Sequence, residues 1–434
     1  QPVEIPIRGW VKPSGIVESE VIHLLVAGAA YPVIVQTSGA NLTSPEGTPL
    51  PAACAGLYAR LSVEGEWMER ERRLTASRIS VRELAPARMP RAQRAGDDTV
   101  AYLIGGGLER DGLASERTLL ALGRDGSLRP LVDLTHLSVQ RLAGQSEDAL
   151  LAWEIPGCAQ RWLFLYNARR GVVGQWLTAP SFGRGELRAF WRDAPQDIVL
   201  FGRATPESAG AMWHVGFLEV DRDEGPFVVP QATLDAASSP LGWLDGQGYV
   251  LSRMLGEGKQ VVGLLDDALD RFAVRGSVAG DGPVISDLLV DGERLLYMVP
   301  QQFDGVRGGT VRLLDLTSGE ERPGAWVTPD VIVYLAPRGE GGGAFLTQRG
   351  PAGTWRPTLR RVVIVDLARH AEMVWAIEVG DEAHIGSIAA CPDGSLLYAV
   401  EQVSGQEIRR WHVDERDERL LHAPADTFQV WACP

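Results

Sequence analysis

Chemistry in this chain has to come from residues that no familiar motif joins. The seven histidines (His23, His136, His214, His370, His384, His412 and His422) include no pair four apart, so the HExxH spacing that aims two imidazoles at one zinc ion is absent. Gly144-Gln145-Ser146-Glu147-Asp148 starts like a nucleophile elbow, but Asp148 stands where the sharp strand-to-helix turn needs glycine. Gly256-Glu257-Gly258-Lys259 runs on to Gln260 and has Arg253 at the first-glycine position, so it is not a phosphate loop. Cys54, Cys158, Cys391 and Cys433 form no CxxC, which argues against zinc. They are either disulfides of an oxidising compartment or small buried hydrophobes. The reading assigns no catalytic residue, and expects no metal and no cofactor.

What remains is charge placed by a repeat. From Asp98 onward the chain recurs at intervals of about 42 to 53 residues, the range of propeller blades. Each unit offers four short strand candidates. In the last these are Ile385 to Cys391, Ser395 to Gln402, Glu407 to Val413 and Arg419 to His422, with Asp393-Gly394 supplying a tight hairpin turn. Third strands end in aspartate, as at Asp221, Asp315, Asp366 and Asp414. Fourth strands carry Trp176, Trp326 and Trp375, which suit packing between blades. Breaks near 140, 185, 237, 285, 331 and 384 give seven blades. The first unit has only three strands. The missing innermost one is Thr427 to Cys433, which aligns with Gly386 to Cys391 because both end in Ala-Cys-Pro. The C-terminal segment is therefore expected to close the ring.

Innermost strands line an axial channel, and their starting ends surround one mouth. The residues placed there are Arg141, Glu186, Arg188, Asp287, Asp330, His384 and Asp426. Such a mixed set suits a small binding site or an acid–base pair. Cys391 and Cys433 fall at equal heights on adjacent inner strands. Such positions commonly lie farther apart than the ~7 Å between Cα atoms that a disulfide tolerates, so two reduced thiols are expected. The state of Cys54 and Cys158 is left open.

Residues 1–90 read as strands broken by turns, with Gly9-Trp10-Val11, the connection Ala27-Gly28-Ala29-Ala30 and the turn Val63-Glu64-Gly65-Glu66-Trp67. Their order resembles a small OB-fold barrel, which implies binding of single-stranded nucleic acid or oligosaccharide. Nine basic and nine acidic side chains cancel in this segment, so no nucleic-acid partner is expected. A linker at 91–97 leads to the propeller at 98–434. There, Cys391-Pro392-Asp393-Gly394-Ser395-Leu396-Leu397-Tyr398 resembles the repeat of TolB-type, WD-repeat-like propellers, which implies a bacterial envelope setting.

The fold class expected is all-β: an OB-like barrel followed by a seven-bladed β-propeller closed by its C-terminal strand. The net charge of −14 opposes nucleic acid and anionic membranes, and no apolar run approaches the ~20 residues of a membrane-spanning helix. The chain opens at Gln1 without an initiator Met, so a trimmed leader is expected, a signal peptide being one explanation, and the location expected is extracytoplasmic. The functional expectation is a non-catalytic binding or scaffold protein for a protein or glycan partner. The alternative is a propeller enzyme (glycan hydrolase, lyase or lactonase) working at the channel mouth. Oligomeric state is not read.

Overall fold

The fold is seen in a computed structural model. Of residues 1–91 it describes Cys54 and seven strands. Beyond these it describes residues 92–434 except 107–116, 135–136, 143–146, 155–157, 159, 184, 194–195, 204–211, 221–226, 229, 245–246, 256–259, 267, 279–284, 291–293, 304–305, 328–330, 339–341, 349–358, 367–371, 381, 392, 413–415 and 425–427. Apart from 3-10 structure at Cys54 and at Pro180–Phe182, the regular structure described is strand throughout.

The first sheet contains β1 (Val3–Pro6), β2 (Val21–Leu24), β3 (Val33–Gln36), β4 (Asn41–Thr43), β5 (Pro49–Leu50), β6 (Tyr58–Met68) and β7 (Arg73–Leu84). Its order is β1-β6-β7-β3-β2, with β4 on β7 and β5 on β4. The long β7 takes β6 antiparallel on one side, and β3 and β4 parallel on the other. Val63, Leu74, Ala76 and Ile79 are buried, the alternation of β7 changing phase at the bulge between Ala76 and Arg78.

Seven further sheets, six of four strands and one of five, form the propeller. Their innermost strands are Phe428–Ala432, Leu137–Arg141, Leu187–Asp193, Ser238–Leu244, Ile285–Val290, Val331–Arg338 and His384–Ala390. Successive inner strands pack on one another from blade three round to blade one. Between blades two and three the amide of Gln140 meets Leu187 O at 3.0 Å and the Ala189 N–H at 2.7 Å. Strands between two blades are apolar on both faces: in Arg161–Asn167 every residue but the last is buried. Trp176, expected as an interblade filler, lies buried among Ala189, Ile198 and Leu200 of the next blade.

The aspartates that end third strands are turn devices. Asp315 accepts the N–H groups of Thr317 (3.0 Å) and Ser318 (2.7 Å), and Asp266 those of Asp270 (3.0 Å) and Arg271 (3.2 Å). Asn167 does the same for Arg169 and Arg170. Asp393 caps Ser395 N at 3.0 Å before Gly394, whose φ of 79° is the left-handed value the hairpin needs.

Closure is as expected. Phe428–Ala432 pairs antiparallel with Thr99–Gly105, from Phe428 opposite Gly105 to Ala432 opposite Tyr102. The buried Gln406 amide accepts from Phe428 N and donates to Phe428 O, reproducing a strand pairing from a side chain. Ser387 Oγ accepts the Val430 N–H at 2.8 Å across to the last blade.

The expected pair of reduced thiols is corrected. Cys391 and Cys433 form a disulfide, with Cα atoms 5.2 Å apart. Each is the first residue beyond its inner strand, at the end where these two strands lie against each other, so the spacing falls within disulfide range. The pair left open is also bonded: Cys54 to Cys158, Cα atoms 5.0 Å apart. It ties the first sheet to blade two, and one continuous core holds Val35, Ile79, Tyr102, Leu151 and Phe164. The connecting segment is laid along the propeller: Gln93 N donates to Leu131 O (2.7 Å), Ala95 N to Ala168 O (2.7 Å), and Tyr166 OH to Gln93 O (2.9 Å).

Two measurements check this account. The intact mass without reductant should fall four hydrogens below that of the free-thiol chain, with no alkylation after unfolding. Ending the chain after Pro424 should cost several kcal/mol in denaturant unfolding. The lost 42-residue disulfide loop accounts for about 4 kcal/mol of that, and the exposed edge adds to it. Unchanged unfolding would refute closure.

Candidate functional site at the channel mouth

Antiparallel pairing brings the last residues of each second strand opposite the first residues of its inner strand, so both contribute to one mouth. In blade three, Leu187 faces Gly202, and Arg203 N donates to Glu186 O at 3.0 Å. The Glu186 carboxylate then accepts from Arg188 Nε and from Arg203 Nη2, each at 2.6 Å. Both guanidinium groups lie over the ring of Trp213, 5.9 and 4.5 Å from its centroid. Trp213 opens the third strand and is fully buried, its indole N–H fixed on Ser238 O at 2.7 Å. Arg188 Nη1 also donates to Pro240 O (2.7 Å), tying this inner strand to the next blade.

The turn that delivers Glu186 is held from blade two. Arg161, 2% exposed, donates to Gly183 O through Nε (3.2 Å) and Nη2 (2.8 Å), and through Nη2 to Gly185 O (2.9 Å). It stands three residues after Cys158, so the disulfide, Arg161 and the Glu186 turn form one mechanical series.

Blade seven offers the second feature. His384 opens the inner strand opposite Glu401, and Nε2 lies 2.6 Å from the Glu401 carboxylate. A side chain at Gly386 would meet Glu401 Oε1 at 2.5 Å, so glycine leaves the carboxylate its room. Nδ1 of His384 has no partner among the described residues, so the carboxylate holds the ring by one nitrogen. Behind it, Glu407 accepts from Arg409 (2.9 Å) and Arg419 (3.3 Å), and Arg409 also grips Asp417, which takes the Tyr398 hydroxyl at 2.8 Å. Burial opposes ionisation of Glu407, but the two arginines hold its carboxyl below the usual range. Among the described residues no group of three or more His, Cys, Asp or Glu is arranged to hold a metal ion.

The expected set divides. Glu186 and Arg188 are together, and His384 lies at the same mouth, on the other side of the ring. Arg141 is corrected: it ends its inner strand Leu137–Arg141 and so belongs to the opposite mouth, because the strand begins at Leu137, ahead of the repeat break near 140. Asp287 is the third residue of Ile285–Val290, inside the strand rather than at its start. Asp330 and Asp426 fall outside the described residues. Arg203, Glu401 and Trp213 went unnoticed because only inner strands were read for charge. Pairing each inner-strand start with the end of its second strand would have found the first two.

At the opposite mouth, Asp148 begins the second strand of blade two and is 8% exposed. It accepts from Asn167 Nδ2 at 2.7 Å, yet burial raises its pKa above the ordinary aspartate value.

No protein-family model matches the chain, and no curated relative matches it. Solved structures do. A structure from a study of two prolyl endopeptidases is 15% identical, with a TM-score of 0.47, over 67% of this chain and 43% of that one. The acylaminoacyl peptidase of Pyrococcus horikoshii is 14% identical, TM-score 0.49, over 76% and 52%. TolB of Acinetobacter baumannii is 11% identical, TM-score 0.39, over 76% and 82%. The chain thus spans about half the length of the peptidase chains it matches. Peptidases predominate among these solved structures, against the expectation that favoured a non-catalytic chain; at these identities the likeness is one of fold. No helix among the described residues is long and apolar enough to cross a membrane.

Asp148 yields a signed pH dependence. Its folded pKa lies above the unfolded one, so the stability that goes with its protonated form is present at low pH and is lost as pH rises through the folded value. Asp148→Asn should therefore raise the unfolding temperature more at pH 7 than at pH 4. An equal shift at both values would show that burial of this carboxylate costs nothing.

Proposed function

We propose that the chain works outside the cytoplasm as a propeller enzyme, of the hydrolase, lyase or lactonase kind, that takes a protein or glycan chain at the axial mouth. Residues 98–434 supply the propeller. Residues 1–90, in this reading an OB-like barrel, are clamped beside the mouth through the second-blade connection that holds Cys158. The two disulfides support an oxidising compartment.

The observation that carries the reading is the His384–Glu401 pair. With Nε2 turned to the carboxylate, Nδ1 presents a lone pair at the mouth and can take a proton from water or substrate, then return it to the leaving group. Glu401 holds the ring and balances the imidazolium that forms, as an orienting carboxylate does in other acid–base pairs. Glu186, Arg188 and Arg203 offer donors and charge for holding a substrate group at the same mouth.

A panel of peptide nitroanilides, lactones and oligosaccharides tests it. One class should be turned over, and His384→Gln should lower kcat by about 10²–10⁴-fold without changing the melting temperature. Glu401→Gln should give a smaller loss. Parent-like turnover by His384→Gln, or no turnover of any class by the parent, would defeat the reading.

A further inference from the structure

The Glu186 cluster has a chemistry of its own. Two guanidinium groups share a single carboxylate, leaving one positive charge in surplus on a chain whose net charge is −14. The neighbouring Arg253 and Asp235 neutralise each other. Arg188 uses Nε and Nη1, and Arg203 uses Nη2. Among the described residues Arg188 Nη2 and Arg203 Nη1 have no partner, and Arg203 Nε is buried without one. The side chains are 27% and 26% exposed, and their guanidinium groups lie over a tryptophan ring fixed by its own hydrogen bond to Ser238 O. Planar forks of this kind are suited to a carboxylate.

Exposed apolar side chains adjoin it. Met212 directly precedes Trp213 and is 44% exposed. Met254 (46% exposed) and Leu255 (41%) follow Arg253, and Met254 N donates to Ala237 O, one residue from the Ser238 carbonyl that fixes Trp213. Thioether side chains of this kind adapt to varied apolar partners.

We infer that blades three and four form a receptor for the free C-terminus of a peptide or protein ending in an apolar residue. Arg188 and Arg203 hold the terminal carboxylate, and Met212, Met254 and Leu255 flank the last side chain. A single surplus charge suits a monoanion. A polyanionic glycan or nucleic acid would meet the acidic remainder of the chain, whereas a peptide end brings one carboxylate and its own apolar contact. The inference deepens the use of the mouth proposed above, but it concerns binding and does not need His384 to transfer a proton.

Fluorescence anisotropy of the whole chain with an N-terminally labelled pentapeptide ending Leu-Leu, as free acid and as C-terminal amide, decides it. The acid should bind and the amide at least tenfold more weakly, since amidation removes the charge and leaves the side chains. Arg203→Gln should weaken the acid by about tenfold to a hundredfold and the amide little, and Arg203→Lys should restore only part, lacking the fork. Because the acid–amide comparison uses the parent protein, a misfolded variant does not spoil it. His384→Gln should bind the acid like the parent, which separates failure of this site from failure of the enzyme reading. Equal binding of acid and amide, no binding of the acid at millimolar concentration, or tighter displacement by hexagalacturonate than by unlabelled acid peptide would each overturn the inference.

Discussion

A ring of sheets closes only where its first and last blades are joined, and here that join is made by one five-residue strand. Phe428–Ala432 supplies the inner strand of a blade whose other three come from residues 99–133. Its contacts are redundant in kind: backbone pairing to Thr99–Gly105, the Gln406 amide on Phe428, Ser387 on Val430, the Trp431 ring edge-on to Tyr102 at 6.2 Å, and a disulfide. Each unpaired backbone group in a closed core would cost about 1–3 kcal/mol. The positions of the inner strands, and so the distances across the mouth, rest on this strand being in place.

Much of that architecture was legible in the sequence because it is written in local signals. Period-two alternation marked the strands, Asp393-Gly394 marked a hairpin, and the paired Ala-Cys-Pro endings linked segments far apart in the chain. The same Ala-Cys-Pro parallel misled about the thiols. It gives equal heights on two strands, while bonding depends on the lateral distance between those strands, which only packing of the ring sets. The site was half legible for a related reason. His384 and Glu186 could be placed from strand starts, whereas Glu401 and Arg203 take their positions from antiparallel register, and Trp213 from a third strand. Arg141 shows how little error is needed: a strand that starts at Leu137 rather than near 140 moves a residue from one mouth to the other.

All but two of the 42 basic residues are arginine, and composition alone reads that as a bias of the whole chain. At three positions the guanidinium does what an ammonium could not. Arg161 reaches two backbone carbonyls through three hydrogen bonds from a nearly sealed position, and Arg188 and Arg203 lie over one indole while each donates to the same carboxylate.

The order of the cysteines along the chain has a consequence of its own. Cys54 bonds to Cys158 and Cys391 to Cys433, so each cysteine pairs with its immediate neighbour in sequence and no bond encloses or interleaves with the other. A chain delivered N-terminus first into an oxidising compartment can form the first bond while blades three to seven are still to come. The second pair becomes available only as the closing strand arrives. Oxidation in order of emergence would then give the pairing of these four cysteines without reshuffling, the second bond forming once the closing strand is in place.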